Sequence, residues 1–144
     1  ASSSAGYSVA IKTDGTLWAW GISSFPTWIN SSIPTQIGTA TNWQDVAAGE
    51  QNTLAIKQDG TLWMWGNNDY GQLCNGNTTG SSVPIQIGID NDWKSISAGH
   101  FSGYGIKTNN TLWAWGYNTE GQVGDGTNVH KQIPISKIKS WIRK

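Results

Sequence analysis

Apolar and polar residues alternate in short runs along this chain, and clusters of Gly, Asn, Asp, Ser and Thr separate the runs. A period of two is the signature of half-buried strands, so the chain reads as all-β with very little helix. Residues 7–12 (YSVAIK) and 16–21 (TLWAWG) flank Thr13-Asp14-Gly15. Asp-Gly between two alternating runs predicts an antiparallel hairpin whose two turn residues both take positive φ. Residues 22–32 follow as a loop, 33–38 (IPTQIG) as an extended segment with Pro34 suited to an edge, and 43–48 (WQDVAA) as a further short strand. The same order returns with a turn at 49–52, strands at 53–57 and 61–66 around Asp59-Gly60, a long loop at 67–82, and extended segments at 83–88 and 93–98. It returns again with strands at 104–107 and 111–116, a loop at 117–132 and an extended segment at 133–136.

The repetition extends to the letters. DGTLWAWG begins at Asp14, DGTLWMWG at Asp59 and NNTLWAWG at Asn109, and Pro34, Pro84 and Pro134 recur in step. A period of this length marks a stacked array, with units at about 1–47, 48–97 and 98–144. Within the repeated strand Trp63 and Trp65 share one face while Leu62 and Met64 share the other, so both faces are apolar. Such a sheet is sandwiched between two neighbours, as a propeller blade of four antiparallel strands is. Trp18, Trp20, Trp63, Trp65, Trp113 and Trp115 are therefore expected between blades, which leaves Trp28 as the better candidate for an exposed aromatic platform.

Composition sharpens this picture: only 12% of residues are charged, against 18 Gly and 10 Trp, as suits a turn-rich, aromatic-packed β protein. The zero net charge conceals a polarity. Residues 1–130 carry four basic and nine acidic side chains, and 131–144 carry five basic and none acidic. A body without clustered cations argues against nucleic-acid binding, and no apolar run approaches the length of a membrane helix. With Cys74 alone, no intrachain disulfide and no cysteine-based metal site can form.

Candidate chemistry is sparse. His100 and His130 lack ligand-spaced companions, and Asp14 and Asp59 belong to turns. The strings GQLCNG and GQVGDG lack the Lys-Ser/Thr of a phosphate loop. Cys74 has no nearby cation to activate it and reads as a residue packed beneath its turn. No catalytic, cofactor or metal residues are expected, and the chain reads as a non-enzymatic protein-binding or scaffold module. The contact surface is assigned to the three long loops, with Trp28, Asp69, Tyr70, Tyr117, Glu120, Asp125 and His130 as its candidate residues. A carbohydrate-binding propeller is the alternative.

The assembled unit AAGEQNTLAIKQDGTLWMWGNNDYGQL resembles the RCC1 repeat family, whose units run alanine-glycine, a strand, DG, an aromatic-Trp-Gly strand, then N-x-x-G-Q-L-G. Neither the Trp-Asp ending of WD40 units nor the double glycine of kelch units is present. The PIQIG segment and the Trp at 43 and 93 look like bacterial members, a setting compatible with secretion or the cell surface. The chain departs from the pattern at Tyr7, Asn52 and Ser102, where the family often has His, at Cys74 in place of Gly, and in the shortened first loop. The family includes an exchange factor for the GTPase Ran, chromatin-associated proteins and a secreted β-lactamase inhibitor. Their contact residues lie in loops that do not match here.

Three blades are too few for a ring. The chain opens at the second strand of a unit and ends on a Trp-bearing segment, which suggests that Ile138, Trp141 and Ile142 clasp the strand carrying Tyr7, Val9 and Ile11 in another copy. The expected assembly is a homodimer of six blades. The rival expectation is a piece of a longer propeller.

Overall fold

The structure, a computed structural model, describes residues 1–4, 6–23 and 29–136. These residues form three four-stranded antiparallel sheets and no helix, so none is long and apolar enough to cross a membrane. Blade 1 comprises β1 (Ser2–Ser3), β2 (Tyr7–Ile11), β3 (Leu17–Ile22) and β4 (Asn30–Gln36). Blade 2 comprises β5 (Trp43–Ala48), β6 (Asn52–Lys57), β7 (Leu62–Gly66) and β8 (Ser81–Gln86). Blade 3 comprises β9 (Trp93–Ala98), β10 (Ser102–Lys107), β11 (Leu112–Gly116) and β12 (Lys131–Ser136). Strands pair in chain order within every blade.

The repeated octapeptide fixes the hairpin between second and third strands, which closes on Ile11–Leu17, Ile56–Leu62 and Ile106–Leu112. The turn chemistry differs from the expectation in one respect. Gly15 and Gly60 take positive φ (79° and 80°), and Asn110 replaces them at 61°, but Asp14 and Asp59 do not. The Gly15 and Gly60 amides each donate 2.9 Å to the lysine carbonyl three residues back, a turn that asks for left-handed backbone only at its last position. The acidic residue serves through its side chain instead. Asp14, Asp59 and Asn109 each accept the amide and the hydroxyl of the Thr two residues on, and that Thr oxygen accepts the indole N–H of Trp18, Trp63 or Trp113 at 2.8 Å. The Thr16 and Thr61 hydroxyls and amides hold the Asp14 and Asp59 carboxyls below their ordinary range.

Stacking of blades makes the core. The aliphatic face of blade 1 (Val9, Leu17, Ala19) packs on the tryptophan face of blade 2, where Trp43 meets Trp63 edge-on at 5.9 Å. The aliphatic face of blade 2 (Leu54, Ile56, Leu62, Met64) packs on Trp93 and Trp115 of blade 3. Trp65, Trp115 and Leu62 are fully buried, each aliphatic side chain of this kind contributing about 1.5–3 kcal/mol. Trp20, on the outer face of blade 1, is half-buried where Trp65 and Trp115 are buried, and Leu112, on the outer face of blade 3, is half-buried where Leu17 and Leu62 are buried. The same repeat position is thus closed or open according to whether a blade lies over it. Tyr7 ties blades 1 and 2 from within the seam, its hydroxyl meeting the Gly49 and Asn52 carbonyls and the Thr53 hydroxyl.

The edge of β2 is not as open as the sequence suggests. Ser2 and Ser3 pair with Val9 and Ser8, and the Ser4 amide donates to the Tyr7 carbonyl at 3.0 Å, so only the Ile11 half lacks a first strand. Tyr7 and Val9, two of the clasp residues expected on this strand, have side chains buried against blade 2 of their own chain. The other clasp residues, Ile138, Trp141 and Ile142, and the platform candidate Trp28 lie outside the described residues. On the outermost strands, Pro34, Pro84 and Pro134 sit where the register breaks, opposite Trp20, Trp65 and Trp115.

Candidate partner-binding loop face

Antiparallel strands bring the chain back to the same end of a sheet at every second connection. In blades 2 and 3 the turn between first and second strands and the long loop between third and fourth therefore emerge together, opposite the Asp-Gly or Asn-Asn hairpin. One buried asparagine builds each long loop. Asn68 accepts the Leu73 amide at 2.8 Å and donates to the carbonyls of Asn77 and Thr79 at 2.9 Å each. Asn118 repeats this, accepting from Val123 at 2.8 Å and donating to the Thr127 and Val129 carbonyls at 2.8 and 3.1 Å. Both side chains are wholly buried, and the bonds from the Leu73 and Val123 amides are made away from competing water. Buried Gln72 adds a brace in blade 2, bonding the Asn67 side chain at 2.7 Å and the Tyr70 amide at 2.9 Å. In blade 1 the equivalent residue is Ser23, whose shorter side chain accepts the Ile29 amide at 3.4 Å.

These loops gather an aromatic cluster over the seam between blades 2 and 3. The Tyr70 ring lies 5.2 Å from Phe101, 4.9 Å from Tyr117 and 5.3 Å from His130. Tyr117 and His130 stack at 5.0 Å, and His100 meets Phe101 edge-on at 4.3 Å. All but His100 are half-exposed, and His100 is open to solvent. His130 is held by the Asn118 amide, which donates to its Nδ1 at 3.0 Å, so the bonded imidazole is unprotonated there. Glu50 reaches across from blade 2 to pair with His100, and the Glu50 amide donates to the His100 carbonyl.

Of the residues expected from sequence, Tyr70, Tyr117 and His130 thus come together, and Glu120 stands exposed beside them with its amide bonded to Gln122. Asp69 bonds the Asn67 amide group at 3.0 Å and stays at the rim. Asp125 is drawn inward. It bonds Lys131 at 2.7 Å, Thr127 and Asn118, and the Lys131 ammonium foremost holds its carboxyl well below the usual range. Sequence reasoning missed Phe101 and Glu50, and placed His100 only as a loop residue, because they lie in short turns and join the cluster only through blade stacking.

Two family models for the regulator of chromosome condensation (RCC1) repeat match, one at residues 43–72 and 93–122, the other at 59–103 and 109–141, more than half of the chain. This chain belongs to the RCC1 repeat family. No match was found among curated protein sequences. Yeast RCC1 (Prp20) bound to Kap60 superimposes with a TM-score of 0.82 at 20% identity, over 96% of this chain and 37% of that one. Human WBSCR16 gives 0.78 at 22% identity, over 92% and 36%. Prp20p from Saccharomyces cerevisiae, characterised for binding to Gsp1p and histones, gives 0.77 at 20%, over 96% and 38%. At these identities the likeness is one of fold, and the chain spans somewhat over a third of each neighbour.

The RCC1 units also explain Cys74, which occupies the position that Gly124 holds in the third unit. Both have left-handed backbone, φ 53° and 71°. The thiol is buried in the seam between blades 2 and 3, and burial pushes its pKa up, away from reactivity. Among the described residues no three metal-ligating side chains come together.

Proposed function

We propose that this chain is a non-enzymatic, protein-binding segment of an RCC1-type propeller, and that a second copy completes its ring. The observation that carries the binding role is the aromatic cluster of Tyr70, Phe101, Tyr117 and His130. It stands half-exposed on loops pinned by buried Asn68 and Asn118. Rigid aromatic groups that lose little freedom on docking are the usual anchors of protein interfaces. The carboxylates and imidazoles nearby serve turns and ion pairs, which favours recognition over catalysis. The solved relatives with named partners bind proteins: Kap60, and Gsp1p and histones.

Ring completion is supported by the two end faces. Leu112 and Trp20 are half-buried where Leu62 and Trp65 are closed. A cavity of about 440 Å³ lined by Ile11, Lys12, Gly15 and Trp43 lies where β5 and β9 begin in the other blades. Trp43 and Trp93 open those strands, each donating its amide to the preceding hairpin glycine at 3.1 Å. A Trp-led strand from another copy fits this half-edge, beyond the part that Ser2 and Ser3 already take.

Light scattering on a size-exclusion column tests the assembly, and a folded monomer would sink the shared ring. For the binding role, a photo-crosslinking residue replaces Tyr117, and the captured protein is identified by mass spectrometry. Capture that disappears with Tyr70→Ala supports the reading. Binding to a glycan array with no captured protein would favour a lectin instead.

A further inference from the structure

The two ends of the blades differ in charge: the hairpin end mixes lysines with the carboxylates of Asp14, Asp59, Asp90 and Asp92, whereas carboxylates predominate at the loop end of blades 2 and 3 among the described residues. Lys12, Lys57 and Lys107 lie at the hairpin end, where Lys57 sits 3.8 Å from the Trp63 ring centre and Lys107 is wedged between Trp93 and Trp113 at 4.9 and 4.7 Å. At the loop end of blades 2 and 3 stand Glu50, Asp69, Glu120 and Asp125. Lys131 is the one Lys or Arg among the described residues there, and Asp125 neutralises it at 2.7 Å. Among the described residues Glu50, Asp69 and Glu120 have no Lys or Arg partner, and they stand on the turn and loops at the same end as the rings of Tyr70, Phe101 and Tyr117.

An aromatic face attracts a cation through its quadrupole, and a carboxylate within reach adds to the same field. We propose that the loop end of blades 2 and 3 docks a cationic, arginine- or lysine-bearing segment of a protein partner. This rests on the protein-binding reading above and narrows it. The order of the groups suits an extended segment crossing the blade seam. Glu50 and His100 lie at one margin, Phe101, Tyr70 and Tyr117 in the middle, and Asp69 and Glu120 on the two long loops. The rings are already positioned by their loops, through Asn118 to His130 and Gln72 to Tyr70, so docking orders few side chains. An acidic segment would meet like charge at the same place, and a neutral sugar would make no use of the carboxylates.

The test is an anisotropy titration of the full chain with fluorescein-labelled peptides of alternating arginine and serine, lysine and serine, or glutamate and serine. The arginine peptide should bind at least about tenfold tighter than the glutamate peptide, with the difference shrinking as salt rises. Tyr117→Leu, which keeps apolar bulk but removes the aromatic face, should weaken arginine binding about three- to tenfold. Glu120→Gln should weaken it about threefold. Asp59→Asn removes an equal charge from the opposite end, at a position where the third repeat already has Asn109, and should leave binding unchanged. Equal binding of the arginine and glutamate peptides would overturn the proposal, as would Asp59→Asn weakening arginine binding as much as Glu120→Gln. A crosslinked partner whose contacting segment is acidic or apolar would overturn it too, while leaving the protein-binding role intact.

Discussion

The two ends of the blades obey opposite rules. At the hairpin end, one arrangement is copied three times: an Asp or Asn side chain caps a Thr, the Thr oxygen takes an indole N–H, and a Lys lies over the indole. At the loop end blades 2 and 3 share a frame, the organising asparagine and a Gly-Gln pair, while the residues displayed on it change. Blade 2 shows Tyr70 and has Gly80 where blade 3 has His130 beside Tyr117, and blade 1 has Ser23 in place of the asparagine. Sameness marks what every blade needs in order to form. Difference marks what the molecule can use for recognition.

The largest test of this contrast is Asn118→Ala. It strips a wholly buried amide of its bonds to Val123, Thr127 and Val129 and leaves those backbone groups without a partner, a loss of about 3–4 kcal/mol by thermal or urea unfolding. The backbone amide that holds His130 is kept, so the loss reads the side chain alone. A loss below about 1 kcal/mol would mean that the loop holds itself and that the asparagine is not its organiser.

Next in size is a difference within the hairpin end. Lys107 is buried and bonded to Asp90 at 2.6 Å and Asp92 at 3.0 Å, whereas Lys57 relies on Trp43 and Trp63. Lys107→Ala should cost about 2–3 kcal/mol and Lys57→Ala about 1 kcal/mol. Burial alone would lower the Lys107 pKa, but the hydrogen bonds its ammonium donates to Asp90 and Asp92 outweigh it and raise the value. A raised lysine stabilises fully below its unfolded pKa of about 10.4 and stops doing so as pH climbs through the folded value. Wild type should therefore lose stability on alkaline titration, and Lys107→Ala should lose less over the same range. Parallel curves for the two proteins would refute the ion pair's contribution.

The smallest effect is expected at Asn110, the one hairpin that lacks Gly. Its φ of 61° suits Gly better, so Asn110→Gly should raise stability by a few tenths of a kcal/mol, and Asn110→Ala should lower it by about 1 kcal/mol. If Ala were tolerated as well as Gly, left-handed backbone would not be what the three hairpins share.

The fold was legible because its strands advertise themselves twice, by alternation and by repetition. Leu62 and Met64 opposite Trp63 and Trp65 called for neighbours on both faces, and both neighbours are there. Turn detail was legible only in part, since the Asp-Gly pair shows where the chain reverses but not that Asp14 works through its side chain. The site was half legible. Tyr70, Tyr117 and His130 announce themselves in long loops, but Glu50 and His100 are separated by a whole repeat and meet only when one blade is laid on the next, as do Phe101 and Tyr70. Asp125 shows the converse, an acidic loop residue whose charge is spent inside its own loop by Lys131, a partner that spacing alone does not reveal.

The prolines of the outermost strands carry a consequence for solubility. Each blade ends in a rim strand with an exposed apolar side chain, Ile33, Val83 or Ile133, beside Pro34, Pro84 or Pro134. Greasy rims of this kind invite strands from other molecules to zip on and grow into fibres. Proline offers no amide hydrogen to such a visitor, and here it sits in a break of register that bends the rim out of line. A protein that must keep its seams sticky for its own blades has in this way made its circumference a poor template for anyone else's.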